Sequence, residues 1–491
     1  MTPISRSLTT ALALLVSAAL PGGCTVGPNF VKPGAQVPGA WAGPAPSAAT
    51  TQPTTQPTTQ PGLAEKDLAQ WWNAFGDATL TSLVTRAVES NLDLRLAEAR
   101  IRQARAARGL AVSGIGPTLN GTGSYTRAQA SGGRGGSAPV TNYYQAGFDA
   151  GWEVDIFGGV RRNIEAAEAD LSFAVEDRRD VLVTLSAEVA SNYVALRGFQ
   201  QRIVIARRNL QTQQHSAEIT RKQRAGGLVA NGLDVANAEA QVAGTAAAIP
   251  MLELAAQQTI YSLSLLLDRE PGALAEELSP PGAIPASKVA VPLGVPSDLL
   301  RRRPDIRRAE ADIHAATARI GVAVADLYPH VTISGSLGSH AANLRDWFNP
   351  LSRFWSFGPG VNWNLFNTGG NLANIDIQKA LTDQTILAYR KIVLTAMLDV
   401  ENTLIASAKE QEHRKALIDA VAANRKAVEL STSLYSQGQT DFLNVLTAQR
   451  SLYATEDALT DSERAMSTDL IALYKALGGG WGEPEAPVEK P

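Results

Sequence analysis

A single cysteine, Cys24, is all the chain holds, so no internal disulfide can staple it and no Cys-based catalytic or zinc site is available. Its five histidines (His215, His314, His330, His340 and His413) are scattered without the paired spacing a metal needs. Charge of one sign is not in excess. The 44 basic and 47 acidic residues leave a net charge of −3, and no Lys/Arg cluster outlines a nucleic-acid face. Phosphate-loop and nucleophile-elbow sequences are missing, so nothing evident carries catalysis. The Gly132-Gly-Arg-Gly-Gly136 run lies between two strand patterns rather than before a helix and reads as a flexible turn. No apolar run after the N-terminus approaches the roughly 20 residues of a membrane-spanning helix.

What is present begins with a targeting segment. Arg6 precedes a 13-residue apolar stretch, Leu8–Leu20, too short to span a bilayer comfortably, so residues 1–23 read as a signal peptide. Cys24 follows at once. It is either a plain thiol or the acylated cysteine of a lipobox, although Pro21 stands where such a box usually carries leucine. Residues 24–66 are rich in Pro, Thr and Gln, with three Thr-Thr-Gln-Pro copies from Thr50 to Pro61, and predict an extended, solvated tether. The stretch 478–491 reads as a flexible tail in the same way.

Between tether and tail the chain is duplicated at an offset of 212 residues. Asn91-Leu-Asp-Leu-Arg-Leu-Ala-Glu-Ala99 aligns with Arg303-Pro-Asp-Ile-Arg-Arg-Ala-Glu-Ala311, and Ile101, Ala104 and Pro117 match Ile313, Ala316 and Pro329. The period is too long for a solenoid and defines two similar halves, 67–270 and 296–477, joined by a linker over 271–295.

Each half contains a strand pair, expected at 117–125 with 143–157 and at 329–338 with 354–366. Alternation is strict. Tyr144, Ala146, Phe148, Ala150, Trp152 and Val154 interleave with Gln145, Gly147, Asp149, Gly151, Glu153 and Asp155. Val331, Ile333 and Leu337, then Trp355, Phe357, Val361 and Trp363, repeat the pattern. A half-buried soluble hairpin has the same period of two. Aromatics towards the ends of segments about ten residues long instead suit a lipid-facing barrel strand, with Asp149, Glu153 and Asp155 lining a wet lumen. Four strands cannot close alone, and open edges in hydrocarbon cost several kcal/mol per unpaired group, so such a chain must oligomerise. The remainder is helical. Proline-free segments from Gly159 to about Lys222 and from Thr368 to about Gln437 carry apolar residues every 3.5 positions or so, the mark of coiled-coil packing.

These residues resemble the TolC-like outer membrane factors, in their lipoprotein efflux branch of NodT/OprM type. The resemblance is carried by Cys24-Thr-Val-Gly-Pro-Asn-Phe30, Trp71-Trp-Asn-Ala-Phe-Gly-Asp77, Asp155-Ile-Phe-Gly158, Pro296-Ser-Asp-Leu-Leu-Arg-Arg-Arg-Pro-Asp-Ile306, Ala309-Glu310 and Gly438-Gln-Thr-Asp-Phe-Leu-Asn-Val-Leu-Thr-Ala-Gln-Arg450. It implies a mixed α and β membrane protein: a homotrimer whose 12-stranded outer-membrane barrel, four strands per chain, continues into a helical coiled-coil periplasmic tunnel. It also implies a lipid on Cys24, no other cofactor, and work beside a periplasmic adaptor and an inner-membrane transporter of the RND type. At the periplasmic gate it makes Leu443 an apolar constriction and Arg450 a charged lock. Where the family often places acidic rings this chain has Asn444 and Thr447, with Asp441 and Asp234 near but out of register. The turns with Gly226, Gly227 and Leu228, and with Gly438, Gln439 and Thr440, match where adaptor hairpins dock. Small-molecule efflux is the leading expectation. A channel for type I protein secretion shares the fold, and a non-conducting coiled-coil scaffold would not need the strand alternation.

Overall fold

The computed structural model describes residues 25–35, 37–43, 68–129, 131, 139–227, 230–287 and 295–482; Cys24, Leu228, the Gly132-to-Gly136 run and the expected signal peptide lie outside them. The described chain forms two compact units. One gathers residues up to 34 with 99–175 and 308–390; the other gathers 35–98, 176–307 and the residues from 391 onwards. The elements in order are α1 (Ala78–Ser90), α2 (Leu92–Ser113), β1 (Thr118–Gln129), β2 (Val140–Val154), α3 (Gly159–Ala225), α4 (Gly232–Leu266) and α5 (Ala275–Leu278). There follow α6 (Pro296–Arg302), α7 (Pro304–Ala325), β3 (His330–Ala341), β4 (Arg353–Asn362), α8 (Thr368–Ser436) and α9 (Phe442–Ala476).

The first unit is built on one antiparallel sheet of order β1-β2-β3-β4. The register settles which residues share a face. Leu119 pairs with Ala150, Tyr125 with Tyr144, Phe148 with Leu337, Trp152 with Ile333, Leu337 with Trp355 and Val331 with Val361. The large apolar residues of the pattern that fall within the strands therefore lie on one face, and much of that face is exposed: Trp355 is 79% accessible, Leu119 70%, Phe357 65% and Leu337 61%. The opposite face carries Asn120 opposite Asp149, Glu153 opposite Thr332, and Ser336 between Asp149 and Ser356. All four helix–strand junctions lie at one end of the sheet, and both hairpin connections at the other. The duplication is visible at the junction end. Trp152 Nε1 donates to the Ile115 carbonyl (2.7 Å), and its counterpart Trp363 donates to the Leu327 carbonyl (3.1 Å). At the hairpin end of the same apolar face Tyr125 lies against Tyr144 at 4.7 Å. From Tyr144 to Trp152 is about 26 Å along the strand, at roughly 3.3 Å per residue. An apolar band between two aromatic belts is the pattern of a sheet immersed in lipid.

Strand limits differ slightly from the sequence expectation. β2 stops at Val154, and the chain after β4 turns into a short 3-10 helix at Leu365–Asn367. This corrects Asp155 as a lumen residue. Its carboxylate accepts from the Val160 and Arg161 amides (3.2 and 3.0 Å) and from Arg161 Nε (3.1 Å), satisfying the open N-terminus of α3.

The tether expectation is also corrected over its described part. Arg162, 3% exposed, donates to the Val26 and Gly27 carbonyls (3.1 and 3.3 Å) and to Asn29 Oδ1 (2.7 Å), while the Val26 amide bonds to the Phe157 carbonyl. Phe30 stacks on His314 at 4.4 Å and Lys32 pairs with Glu310 at 2.8 Å. Gly27, at φ +85°, touches Gly321 so closely that a Cβ would lie 2.5 Å from the Gly321 Cα. Burial pushes the Glu165 carboxyl up, but its bonds to Arg162 and His314 prevail and hold it below the usual range. Residues 25–32 are thus a strap clamped to the sheet unit by a nearly buried guanidinium, not a free tether.

The second unit explains two of the sequence motifs. Trp71–Phe75 is a single 3-10 turn ended by Gly76 at φ +63°, after which Asp77 caps α1 by accepting from the Leu80 amide (2.9 Å). Trp71 is buried and stacks on Tyr474 at 5.2 Å. Pro304 opens α7, where a missing N–H costs nothing. Arg303 before it donates to both oxygens of Asp305 (3.0 and 2.7 Å), to Asp399 (3.4 Å) and to the Ala476 carbonyl (3.0 Å). The start of the expected flexible tail is packed as well. Trp481 donates to the Arg302 carbonyl (3.1 Å) and lies under Arg179 and Arg307 at 4.6 and 5.3 Å from its ring, and the Gly480 amide bonds to the Leu68 carbonyl. The linker is pinned in turn, since Ser467 donates to the Pro285 carbonyl (2.6 Å) and Gln200 to that of Leu278 (2.6 Å).

Candidate functional site

The helix turns of the second unit form the candidate gate. At the first, Gly227 adopts φ +67° and its amide returns to the Arg224 carbonyl (3.1 Å). Asn231 and Asp234 then close a capping box on α4, each side chain accepting the other's amide (3.0 and 2.9 Å). Asp234 is therefore occupied in holding the helix start. At the second turn Gly438 adopts φ +70° and returns to the Tyr435 carbonyl (3.0 Å), matching Gly227 in the duplicated half. Asn444 donates to Thr440 Oγ1 at 2.7 Å.

Beneath the turns Ala217, Ala238, Tyr435, Phe442, Val445 and Leu446 pack into one buried cluster. Tyr435 lies against Phe442 at 5.3 Å and donates to Thr220 Oγ1 at 3.3 Å, and burial raises its phenol above the ordinary value. Gln449 Nε2 donates to Ser216 Oγ (2.8 Å). Phe442, Val445, Leu446 and Gln449 are the buried face of α9. The intervening positions Leu443, Asn444, Thr447 and Arg450 fall on its other, exposed face. The structure therefore brings these four predicted gate residues into one stripe, and Asp441 sits exposed at its head.

Arg450 is not free within the chain. Its Nε donates to Gln241 Oε1 on α4 at 2.6 Å. Gln241 carries no sequence signal of this role, because a neutral side chain at an exposed helix position is unremarkable until the fold places it opposite a cation. On the sheet, Asp149 accepts from Thr122 (3.1 Å) and Glu153 is hydrogen-bonded to His330 Nδ1 (2.7 Å), both on the polar face. Among the described residues no group of His, Cys, Asp and Glu could hold a metal ion, and no helix is long and apolar enough to cross a membrane.

An edge-open sheet with one exposed greasy face and one polar face, carried on helices of 67 and 69 residues, is a membrane-channel subunit. The relatives agree. A family model described as outer membrane efflux protein matches residues 83–268 and 295–479, and the chain belongs to that family. It is 32% identical over 478 residues to nodulation protein T of Rhizobium leguminosarum bv. trifolii, covering 97% of this chain and 98% of that one. It is 32% identical over 490 residues to the probable efflux pump outer membrane protein TtgC of Pseudomonas putida, covering 98% and 99%. Among solved structures it resembles the outer-membrane channel OprN with a TM-score of 0.84 and 35% identity, over 93% of this chain and 100% of that one. The chain is thus an outer-membrane protein of efflux.

Proposed function

We propose that three copies of this chain close a twelve-stranded barrel and serve as the exit channel of a pump completed by a periplasmic adaptor and an inner-membrane transporter. The observation that carries the reading is the register, which gathers Leu119, Phe148, Trp152, Ile333, Leu337, Trp355, Phe357 and Val361 on one face, while Tyr143 and Phe354 lie against His340 on the other at the hairpin end. β1 and β4 are the sheet edges and run in opposite directions, so β4 of one copy meets β1 of the next in the same antiparallel sense. Two copies would give eight strands, whose interior side chains fill; three are the fewest that leave a passage. Asp149 and Glu153 then face the water.

In this reading Leu443, Asn444, Thr447 and Arg450 line the narrow end of the tunnel, with the Arg450–Gln241 bond holding α9 beside α4 in the closed state. Purified protein in planar bilayers should conduct poorly, and Arg450→Ala should raise the open fraction severalfold; unchanged conductance would remove Arg450 from the gate. The turns holding Gly226, Gly227, Leu228, Gly438, Gln439 and Thr440 receive the adaptor. A cysteine introduced at Gln439 should cross-link to it in cells, whereas one at the exposed Leu351 on the hairpin side of β4 should not; equal cross-linking at both would count against docking at the turns. The transporter is of the proton-driven RND type, and the cargo is small molecules.

The strap supports a lipid on Cys24. Thr25, the residue after Cys24 in sequence, rests on Gly158 at the junction end of the sheet, where a Cβ would lie 2.8 Å from the Thr25 Cα. Labelled palmitate should appear on the wild type and vanish in Cys24→Ser; persistence of label in the variant would refute the assignment.

A further inference from the structure

Fifteen residues along α9 from its start, Glu456 is met by Arg208 of α3 and Arg425 of α8. Arg208 Nη2 lies 2.6 Å from one carboxylate oxygen and Arg425 Nη2 lies 2.8 Å from the other. The carboxylate side chain is 7% exposed, whereas the two guanidiniums are 56% and 64% exposed. They flank a cavity of about 270 Å³ whose wall also includes Thr212 and the apolar side chains of Val428 and Leu452.

The charges do not balance. Two cations share one anion, so the cavity keeps one net positive charge. Each guanidinium has five N–H donors and spends one on Glu456, which leaves both able to serve a second acceptor. Burial pushes the Glu456 carboxyl up, but the hydrogen bonds from Arg425 and Arg208 outweigh it and hold it below the ordinary range. Glu456 therefore remains ionised in a mildly acidic compartment, and the excess of one positive charge persists there. The apolar wall would be indifferent to a bare inorganic ion but favours a compact hydrocarbon body, and the volume is below the roughly 300–1,000 Å³ of drug-sized sites.

We infer that this cavity binds a small monoanion, a carboxylate carrying a compact apolar body, with the anion between Arg208 and Arg425 and the body against Val428 and Leu452. Such a ligand joins α3 to α8 at a point beside Glu456, away from the gate stripe on α9. Benzoate is a suitable probe, with benzamide as its uncharged counterpart and inorganic phosphate as an anion without an apolar body.

Calorimetric titration of the full-length, detergent-purified channel should give one saturable benzoate site per chain, and weak or no binding of benzamide and phosphate. Arg208→Ala and Arg425→Ala should each weaken benzoate by about tenfold or more, the worth of one hydrogen bond to a charged group. Arg425→Lys keeps the charge but loses the planar fork, so a smaller loss is expected even if the alanine variants assemble poorly. Glu456→Gln should tighten binding by releasing both guanidiniums. Arg207→Ala, whose guanidinium pairs with Glu253 (2.6 Å), should bind as the wild type does. The assignment is overturned if the wild type shows no saturable site, if benzamide or phosphate binds as well as benzoate, or if Arg425→Ala and Arg425→Lys both retain full affinity.

Discussion

Leu337→Lys is expected to abolish assembly of the channel in the outer membrane. Leu337 sits in the middle of the apolar face, between Phe148 on β2 and Trp355 on β4, and is 61% exposed in the single chain. A lysine at the bilayer midplane of a barrel costs about 2–4 kcal/mol, and a trimer would bear it three times. Ser336→Lys is the matched control. It lies one residue away on the polar face, opposite Asp149 and Ser356, where a cation meets water and a carboxylate. Fractionation of cell envelopes should find the Ser336 variant in the outer membrane as an assembled oligomer and the Leu337 variant absent from that fraction. Wild-type levels of oligomer in the Leu337 variant would mean that this face does not meet lipid, and the channel reading would go with it.

The second large effect is expected at Arg303. Its side chain is 11% exposed and binds two carboxylates and the carbonyl of Ala476 in the last turn of α9. Burial alone would lower its pKa, but Asp305 and Asp399 prevail and hold it above the ordinary value, so the guanidinium is charged at any physiological pH. Removing one partner of a buried ion cluster typically costs about 3–5 kcal/mol, because the remaining charges lose their counterion in a poorly hydrated place. Arg303→Ala should therefore lower the thermal midpoint of the helical signal by many degrees and open the C-terminal end of α9 to protease. Arg303→Lys, which keeps the charge but not the fork that serves three acceptors, should fall between the two. A midpoint for Arg303→Ala within a degree of the wild type would show that the cluster contributes nothing to holding α7, α8 and α9 together.

Much of the architecture was legible because the signals are local. The period-two alternation from Tyr144 to Val154 and from Val331 to Leu337 reports a two-faced strand whatever lies beside it. The proline-free apolar spacing after Gly159 and after Thr368 reports long helices, and these end at Ala225 and Ser436, within three residues of expectation. Leu443, Thr447 and Arg450, which only the family resemblance assigned to a gate, recur at helical spacing and fall together on the exposed face of α9. Composition misled in two places. Pro-, Thr- and Gln-rich composition suggested a free tether over 24–66 and a free tail over 478–491, yet in their described parts Arg162 clamps the first, Glu401 accepts from the Ala42 and Gly43 amides at 2.7 and 2.8 Å, and Trp481 anchors the second. Few apolar residues are needed when a segment's backbone is hydrogen-bonded by side chains that belong to other parts of the chain.

By itself the sequence determined the element types, the two faces of each strand, the duplication and the glycine-bearing turns, because each depends on neighbours within one or two helical turns or on the strand's own pleat. Only the tertiary structure decided that β2 pairs with β3 across more than 170 residues, that Asp155 serves a helix end rather than the lumen, that Gln241 answers Arg450, and that Arg208 and Arg425 converge on Glu456. The physical reason is common to all four. A residue's periodicity states which way it points, whereas its partner is set by where the fold brings another stretch of backbone, and no local pattern encodes that distance.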